Sequence, residues 1–366
     1  MLPWARPIEH REQYPSCCET ENVIRFGNVA AAALAADFMQ EWSGKVRLLA
    51  SNSKRLAHIL SDAIADRGEL LQPEDACVRV VAGAADDVPG LIVDRFGPLI
   101  VCTDYDPAGQ GEALMAALET GFPGCRILLR WRCKAGDSAL QLRWGGAPTP
   151  ERIVAVEDGL RFEIGTDPRH DFGLFLDGRT ARSRVRALAS GALVLNLFSY
   201  ACGFGIAARA GGARDVVNVD PERSYLSWGR RNAALNGTDF RVVPDTAQAF
   251  LRRWRRRAER GTAEHFDVVV SDPPACGVGR GDDRVLRKFW PELLESIAAL
   301  APAHAVLLCN DKAYRGYEDF ESTVQAALGK AYDVSAIRHS REILGREPSR
   351  RDPWYAPPRV LHARRT

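Results

Sequence analysis

Apolar residues recur along this chain in three registers. Leu56, Ile59, Leu60, Ala63 and Ile64 fall at i, i+3, i+4, i+7 and i+8, one face of a helix. Ser51 and Ser53 are N-cap candidates for it and Gly68 a stop. With the run NVAAAALAADFMQEWSG upstream, residues 1–75 read as a helical segment. Residues 76–150 change to short strands: CVRVVAG, then LIVDRFGPLIVCTDY turning at Gly97-Pro98. The helix EALMAALETGF and a hairpin, RILLRWRCKAGDSALQLRW, complete a small α+β domain. The run from Gly145 to Pro150 has the composition of a linker. From residue 151 to 366 the pattern alternates. VLNLF (194–198), VVNVD (216–220), FRVVP (240–244), DVVVS (267–271) and AVLLCN (305–310) are continuous apolar runs, as strands covered on both faces must be. Helical stretches lie between them, including Pro221–Leu235, Ala247–Glu259 and Val285–Leu300. Such alternation predicts an α/β fold with a doubly wound parallel sheet, to which 332–340 and 359–364 add strands.

Composition narrows the setting more than the chemistry. Lys and Arg total 49 against 47 Asp and Glu, so bulk charge does not by itself announce a nucleic-acid binder. The nine cysteines show neither CxxC spacing nor a Cys/His zinc pattern, so no metal is expected and a reducing, cytoplasmic compartment is. No apolar run reaches the roughly 20 residues of a membrane span, and the N-terminus lacks the apolar core of a signal peptide.

Candidate chemistry sits where strands end, since open α/β sheets bind ligands at their carboxyl edge. The first alternating strand runs into Phe198-Ser199-Tyr200-Ala201-Cys202-Gly203-Phe204-Gly205, where glycines allow close approach of a ligand. This spacing is not GxGxxG, which disfavours a pyrophosphate ligand. Asp220 ends the second strand, placed either to accept from ribose hydroxyls or to cap the helix that Pro221 opens. Asp245 follows the third, as an acceptor for an adenine amino group or as another loop or capping Asp. The fourth ends in Ser271-Asp272-Pro273-Pro274, whose prolines stiffen the turn. Together these strand ends outline a Rossmann-like class I S-adenosylmethionine site.

The segments His170-Asp171-Phe172-Gly173-Leu174-Phe175-Leu176-Asp177-Gly178-Arg179, LNLFSYACGFGIAARAGGARDVVNVD, SYLSWGRRNAALNG and SDPPACG resemble bacterial 23S ribosomal RNA methyltransferases. Val88-Pro89-Gly90-Leu91-Ile92-Val93-Asp94-Arg95 extends the likeness, which runs from about Arg79 to the C-terminus. The guanine-N7 (K) half of the large-subunit K/L enzyme looks nearest, with the cytosine-C5 (I) enzyme a close relative. The resemblance implies cofactor contacts from Phe175, Asp177, Arg179, Asn196, Ser199, Gly203, Asp220, Asp245 and Asp272. It also implies that Asp272, Pro273 and Pro274 hold the acceptor, with Asn310 and Lys312 orienting it.

Nucleophile requirements separate the products. Cytosine C5 needs a thiolate to add at C6, whereas guanine N7 carries its own lone pair and needs positioning. The segment Leu308-Cys309-Asn310-Asp311-Lys312 resembles the SNNK segment of the guanine-N7 half more than the FSCS of the cytosine enzyme. Cys309 and Cys276 therefore read as bystander thiols before they read as nucleophiles. Ala275, where exocyclic-adenine enzymes carry an aromatic, argues against that product. Trp290, Tyr314 and Tyr317 are placed to stack a base or to fill the core. Residues 252–260 carry six Arg against one Glu, and 341–366 seven Arg against three acids with Trp354 and Tyr355 between them. Both are either RNA contacts or solvated faces. The expected enzyme is an S-adenosylmethionine-dependent methyltransferase acting on ribosomal RNA. A small-metabolite acceptor is the alternative.

Overall fold

The structure is a computed structural model, and it describes residues 54–105, 111–131, 141–167, 172–274, 283–310, 317–346 and 356–366. The N-terminal helical expectation over 28–44 and the caps Ser51 and Ser53 lie outside these residues.

Helix α1 covers 54–66 and buries the predicted face, with Leu60 and Ala63 at most 2% exposed. Gly68 does not end the helical path: the chain turns at Arg67 and resumes as the short α2 (Gly68–Leu71). Five strands follow in simple spatial order: β1 (Cys77–Ala82), β2 (Leu91–Phe96), β3 (Leu99–Asp104), β4 (Arg126–Trp131) and β5 (Gln141–Gly146). All pairs are antiparallel except β3–β4, which needs a crossover and receives it from α3 (Gly111–Gly121). Helices α1 and α3 cover one face through Leu56, Leu60, Leu114 and Leu118. The other face, carrying Phe96, Leu99 and Leu128, packs into the same core as Phe162, Leu174 and Val194. Gly145 and Gly146, expected in a linker, complete β5 instead.

Next comes an unanticipated hairpin, β6 (Arg152–Glu157) and β7 (Leu160–Gly165). Its turn, Asp158-Gly159, has φ of 51° and 79°, the paired left-handed geometry that Asp-Gly favours between alternating strands.

The large sheet has the order β10-β9-β8-β11-β12-β14-β13. Its members are β8 (Leu193–Leu197), β9 (Asp215–Asp220), β10 (Arg241–Pro244), β11 (Val268–Ser271), β12 (His304–Cys309), β13 (Tyr332–Ala336) and β14 (Arg359–Arg365). The first five are parallel and β14 runs against both of its neighbours. Alternate residues of each apolar run go to opposite faces. Val194, Val216, Val268 and Val306 meet α4 (Arg179–Leu188), α5 (Gly203–Ala210) and α6 (Arg223–Leu235). Leu195, Val217, Val269 and Leu307 meet α7 (Ala247–Ala258), α8 (Asp283–Leu300) and α9 (Tyr317–Leu328). The chain order reverses between β8 and β11, and that switch point places the cleft at their carboxyl ends. No described helix is long and apolar enough to cross a membrane.

Candidate active site

The loop leaving β8 carries three non-glycine residues in left-handed backbone: Phe198 (φ 57°), Tyr200 (φ 46°) and Cys202 (φ 62°). Each such residue costs about 1–3 kcal/mol and persists only where its surroundings enforce it. Here Ser199 N donates to Val219 O (3.0 Å), Cys202 N to Ser199 O (2.7 Å), and Asn232 Nδ2 to Ala201 O (3.0 Å). Gly229 of α6 allows the close approach, because a Cβ there would overlap the Cys202 thiol. The loop is thus built on β9 and α6.

Asp220, 8% exposed at the end of β9, is its central acceptor. One carboxylate oxygen takes Tyr200 N at 2.8 Å and the other Glu222 N at 2.9 Å. Burial pushes its pKa up, against the lowering effect of those two N–H donors. The residue capping α6 is Glu222, so Asp220 is not its N-cap. Each carboxylate oxygen retains a lone pair for a further donor from the cleft.

Asp272 follows β11, and Asn310 follows β12 on the neighbouring strand. Asn310 Nδ2 donates to Asp272 Oδ1 at 3.4 Å. Burial pushes the Asp272 pKa up to about 7, the Asp177 charge adds to this and Arg182 opposes it. Pro273 is buried and Pro274 exposed. The folded state holds a proton on Asp272 between about pH 4, where a free Asp titrates, and about 7. Stability from this group is therefore present below about pH 4 and lost as pH rises to about 7. Asp272→Asn should gain melting temperature relative to the parent steadily over that window. A difference that stays flat with pH would show that the carboxyl titrates normally.

Other predicted residues take different places. Asp177 sits near Arg79, at 3.9 Å. Phe175, 49% exposed, lies against Tyr200 with ring centroids 5.4 Å apart, and Tyr200 meets Tyr225 at 4.5 Å. Sequence reasoning missed this aromatic shelf of Tyr200 and Tyr225; their flanking of the loop and of Asp220 was the available signal. Ser199 is buried in the loop, and Gly203 opens α5. Gly205 faces not a ligand but Asn218, whose carboxamide would collide with any Cβ. Asn196 is fully buried in β8, donating to Asn218 Oδ1 at 2.8 Å, so it braces the strand ends from beneath. Arg179 is held by Asp158 and Glu342, an engagement that ties α4 to the hairpin turn and occupies the guanidinium. Asp245 gives one oxygen to Thr246 N and pairs the other with Arg253, while Thr246 caps α7. Trp290 is 2% exposed against Phe320, in the core and away from any base. Cys309 is fully buried. Lys312, Ala275, Cys276 and Tyr314, the side chain of Tyr317, and Trp354 and Tyr355 fall outside the described residues.

Beneath the shelf, Arg182 spans Glu157 of β6 in two hydrogen bonds, 2.6 and 2.7 Å, and donates to Phe175 O at 2.9 Å. Sequence reasoning gave this pair no role. Burial alone would lower the Arg182 pKa, but the Glu157 charge overcomes it and raises it.

The donor set suits an adenosyl group: a largely buried carboxylate for vicinal hydroxyls, an aromatic shelf, and a strained loop held open between them. Comparisons with known proteins agree. The S-adenosylmethionine-dependent methyltransferase family matches residues 113–331. Ribosomal RNA large subunit methyltransferase I of Aeromonas salmonicida is 37% identical over 207 residues, 54% of this chain and 50% of that protein. Its Citrobacter koseri counterpart is 35% identical over 275 residues, 72% and 68% of the two chains. A ribosomal RNA large subunit methyltransferase of Deinococcus radiodurans is 30% identical over 286 residues, 74% and 70%. The chain thus spans between half and about two thirds of the length of these relatives. Among solved structures, a chain from Streptococcus mutans assigned to the SAM-dependent methyltransferases superposes with a TM-score of 0.70 at 18% identity, over 85% and 81% of the chains. The SAM-dependent methyltransferase of Agrobacterium tumefaciens reaches 0.56 at 18% identity, over 79% and 89%. At that identity the structures speak for the fold, and the sequence relatives for the lineage: the chain belongs to the S-adenosylmethionine-dependent methyltransferase family, in the group of the ribosomal RNA large subunit enzymes.

Proposed function

We propose that this enzyme methylates a base of large-subunit ribosomal RNA, guanine N7 ahead of cytosine C5, by direct transfer. The observation that carries the reading is the meeting of Asp272 and Asn310 at adjacent strand ends, on the same carboxyl edge of the sheet as Asp220 two strands away. S-adenosylmethionine, when bound, supplies an electrophilic methyl on its sulfonium. The chain's own task is then to present the acceptor nitrogen in line. Rigid Pro273 and Pro274 fix the turn, Asp272 and Asn310 offer hydrogen-bonding groups to the base edge, and Lys312 follows in the same segment. Asp177, Asp220 and Asp272, with Phe175 and Ser199, are the cofactor contacts this reading retains.

The names of the relatives keep cytosine C5 as a second reading, and that chemistry needs a thiolate at the cleft. Cys309 is fully buried in β12 and presents no surface to an incoming base. Cys309→Ser should therefore retain at least half of the parent turnover in a labelled-methyl assay. Loss of all activity in a folded Cys309→Ser protein would restore the cytosine mechanism.

RNA contact is assigned to 252–260 before 341–366. Arg252, Arg255, Arg256, Arg257 and Arg260 are exposed along and just beyond α7. In the tail, Arg346 reaches Asp62, Asp66, Asp86 and Asp87, and Arg364 pairs with Asp333. The deciding assay is transfer of labelled methyl from S-adenosylmethionine into total RNA of a deletion strain. Label in large-subunit RNA, mapped to a nucleotide, supports the reading; label confined to a metabolite extract replaces it with a small-molecule acceptor.

A further inference from the structure

A groove of about 440 Å³ lies between α7 and the edge strand β10, apart from the strand-end cleft. Its floor is apolar, made by Val217, Val243, Phe250, Trp254 and Phe266. The floor is also preset: Trp254 Nε1 donates to Glu264 O at 2.8 Å, and Phe250 and Phe266 pack with centroids 6.4 Å apart. The rim is cationic, and its charges divide into two groups. Arg241 is neutralised by Asp215 and Glu264, and Arg253 by Asp245. Arg256, Arg257 and Arg260 line the groove, are exposed, and have no acidic partner among the described residues.

We infer that this groove receives one unpaired nucleotide of the RNA substrate, its base over Phe250 and Trp254 and its flanking phosphates on Arg256, Arg257 and Arg260. Resting on the RNA reading above, the assignment adds a place and a strand state to it. An apolar aromatic floor offers a face to a base, and three uncompensated guanidinium groups offer forks to phosphates; duplex RNA keeps its bases stacked and cannot use the floor. Location favours a polymer over a free nucleotide. Asp245 follows β10 on the cofactor side, whereas Arg241 begins it, and α7, about 18 Å long, carries Arg256 and Arg257 in its last turn. A ligand with its phosphates on Arg256, Arg257 and Arg260 and another part in the cleft must run along most of α7.

The test is fluorescence anisotropy of the full chain with a labelled 12-nucleotide single-stranded RNA, at two or more salt concentrations, beside the same sequence as a duplex. The triple variant R256E/R257E/R260E should weaken single-strand binding at least 10-fold and flatten the salt dependence by about two to three phosphate contacts. It should leave S-adenosylhomocysteine affinity by calorimetry within twofold of the parent. The parent should prefer the single strand over the duplex at least 5-fold, and the triple variant should lose that preference. If the parent binds and methylates RNA but the triple variant binds it equally well, the groove assignment falls alone. If the parent binds S-adenosylhomocysteine and no RNA, the RNA reading falls with it. Displacement of the RNA by equimolar adenosine monophosphate, with charge-reversal sensitivity, would overturn the polymer assignment in favour of a free nucleotide.

Discussion

Replacing Glu157 by alanine is expected to lower stability by about 3–5 kcal/mol, because it leaves the Arg182 guanidinium buried without its hydrogen-bonded carboxylate. The two side chains are 3% and 6% exposed. At a surface site the same pair would contribute little, and the size of the expected effect comes from burial. For a chain of this size the melting temperature should fall on the order of 10 °C. Two controls separate pair from packing. Glu157→Gln keeps an acceptor oxygen for one of the two hydrogen bonds and should recover part of the loss. The double change Glu157→Leu with Arg182→Met removes both charges and should return most of it, as apolar replacements of buried ion pairs do. If Glu157→Ala unfolds within about 1 kcal/mol of the parent, water reaches Arg182 and the pair is not a structural anchor. The pair also bears on chemistry: Arg182 donates to Phe175 O beneath the shelf, and its charge opposes the rise of the Asp272 carboxyl. In the double variant, the pH at which Asp272 titrates should therefore move upward from about 7.

That coupling shows where sequence reading reaches its limit. Asp220, Asp272 and Asn310 were legible because each ends an apolar run, and a buried parallel strand announces both its length and its terminus. The boundaries of the five parallel strands followed to within a residue or two for the same reason, whereas the strand expected over 332–340 stops at Ala336. Glu157 and Arg182 were not legible, since nothing local links a strand residue to a helix residue 25 positions on. The hairpin that carries Glu157 did have a local signature, Asp158-Gly159 between alternating runs, but the strand reading of 151–366 began only at 194–198. Gly205 illustrates a subtler gap. Sequence shows that a glycine is present and not what it approaches, and here that is Asn218 of the next strand. The left-handed backbone at Phe198, Tyr200 and Cys202 is likewise invisible in residue type, because none of the three favours it; contacts from β9 and α6 impose it. The arginines behaved as composition could not foresee. Arg179, Arg253 and Arg346 are absorbed by acids, whereas the three at the end of α7 are not.

Asp220→Ala is expected to weaken cofactor binding by at least 100-fold while leaving the fold intact. Two losses combine. The carboxylate offers lone pairs to vicinal hydroxyls in the cleft, and a hydrogen bond to a charged acceptor contributes about 1.5–3 kcal/mol. It also accepts from Tyr200 N and Glu222 N, so its removal frees the left-handed turn and the shelf residue at its apex. Asp220→Asn tells these apart. An amide oxygen can still take one of the two backbone N–H groups, so the loop is half retained while the charge is gone. Calorimetry with S-adenosylhomocysteine should then give an intermediate affinity. The pH dependence supplies an independent sign. Burial raises the Asp220 pKa, hydroxyl donors prefer the ionised form, and binding should weaken as pH falls toward the acid side. That weakening should be absent in Asp220→Asn. Near-normal affinity in Asp220→Ala, with a melting temperature matching the parent, would move the cofactor away from the end of β9 and with it every contact inferred around this carboxylate.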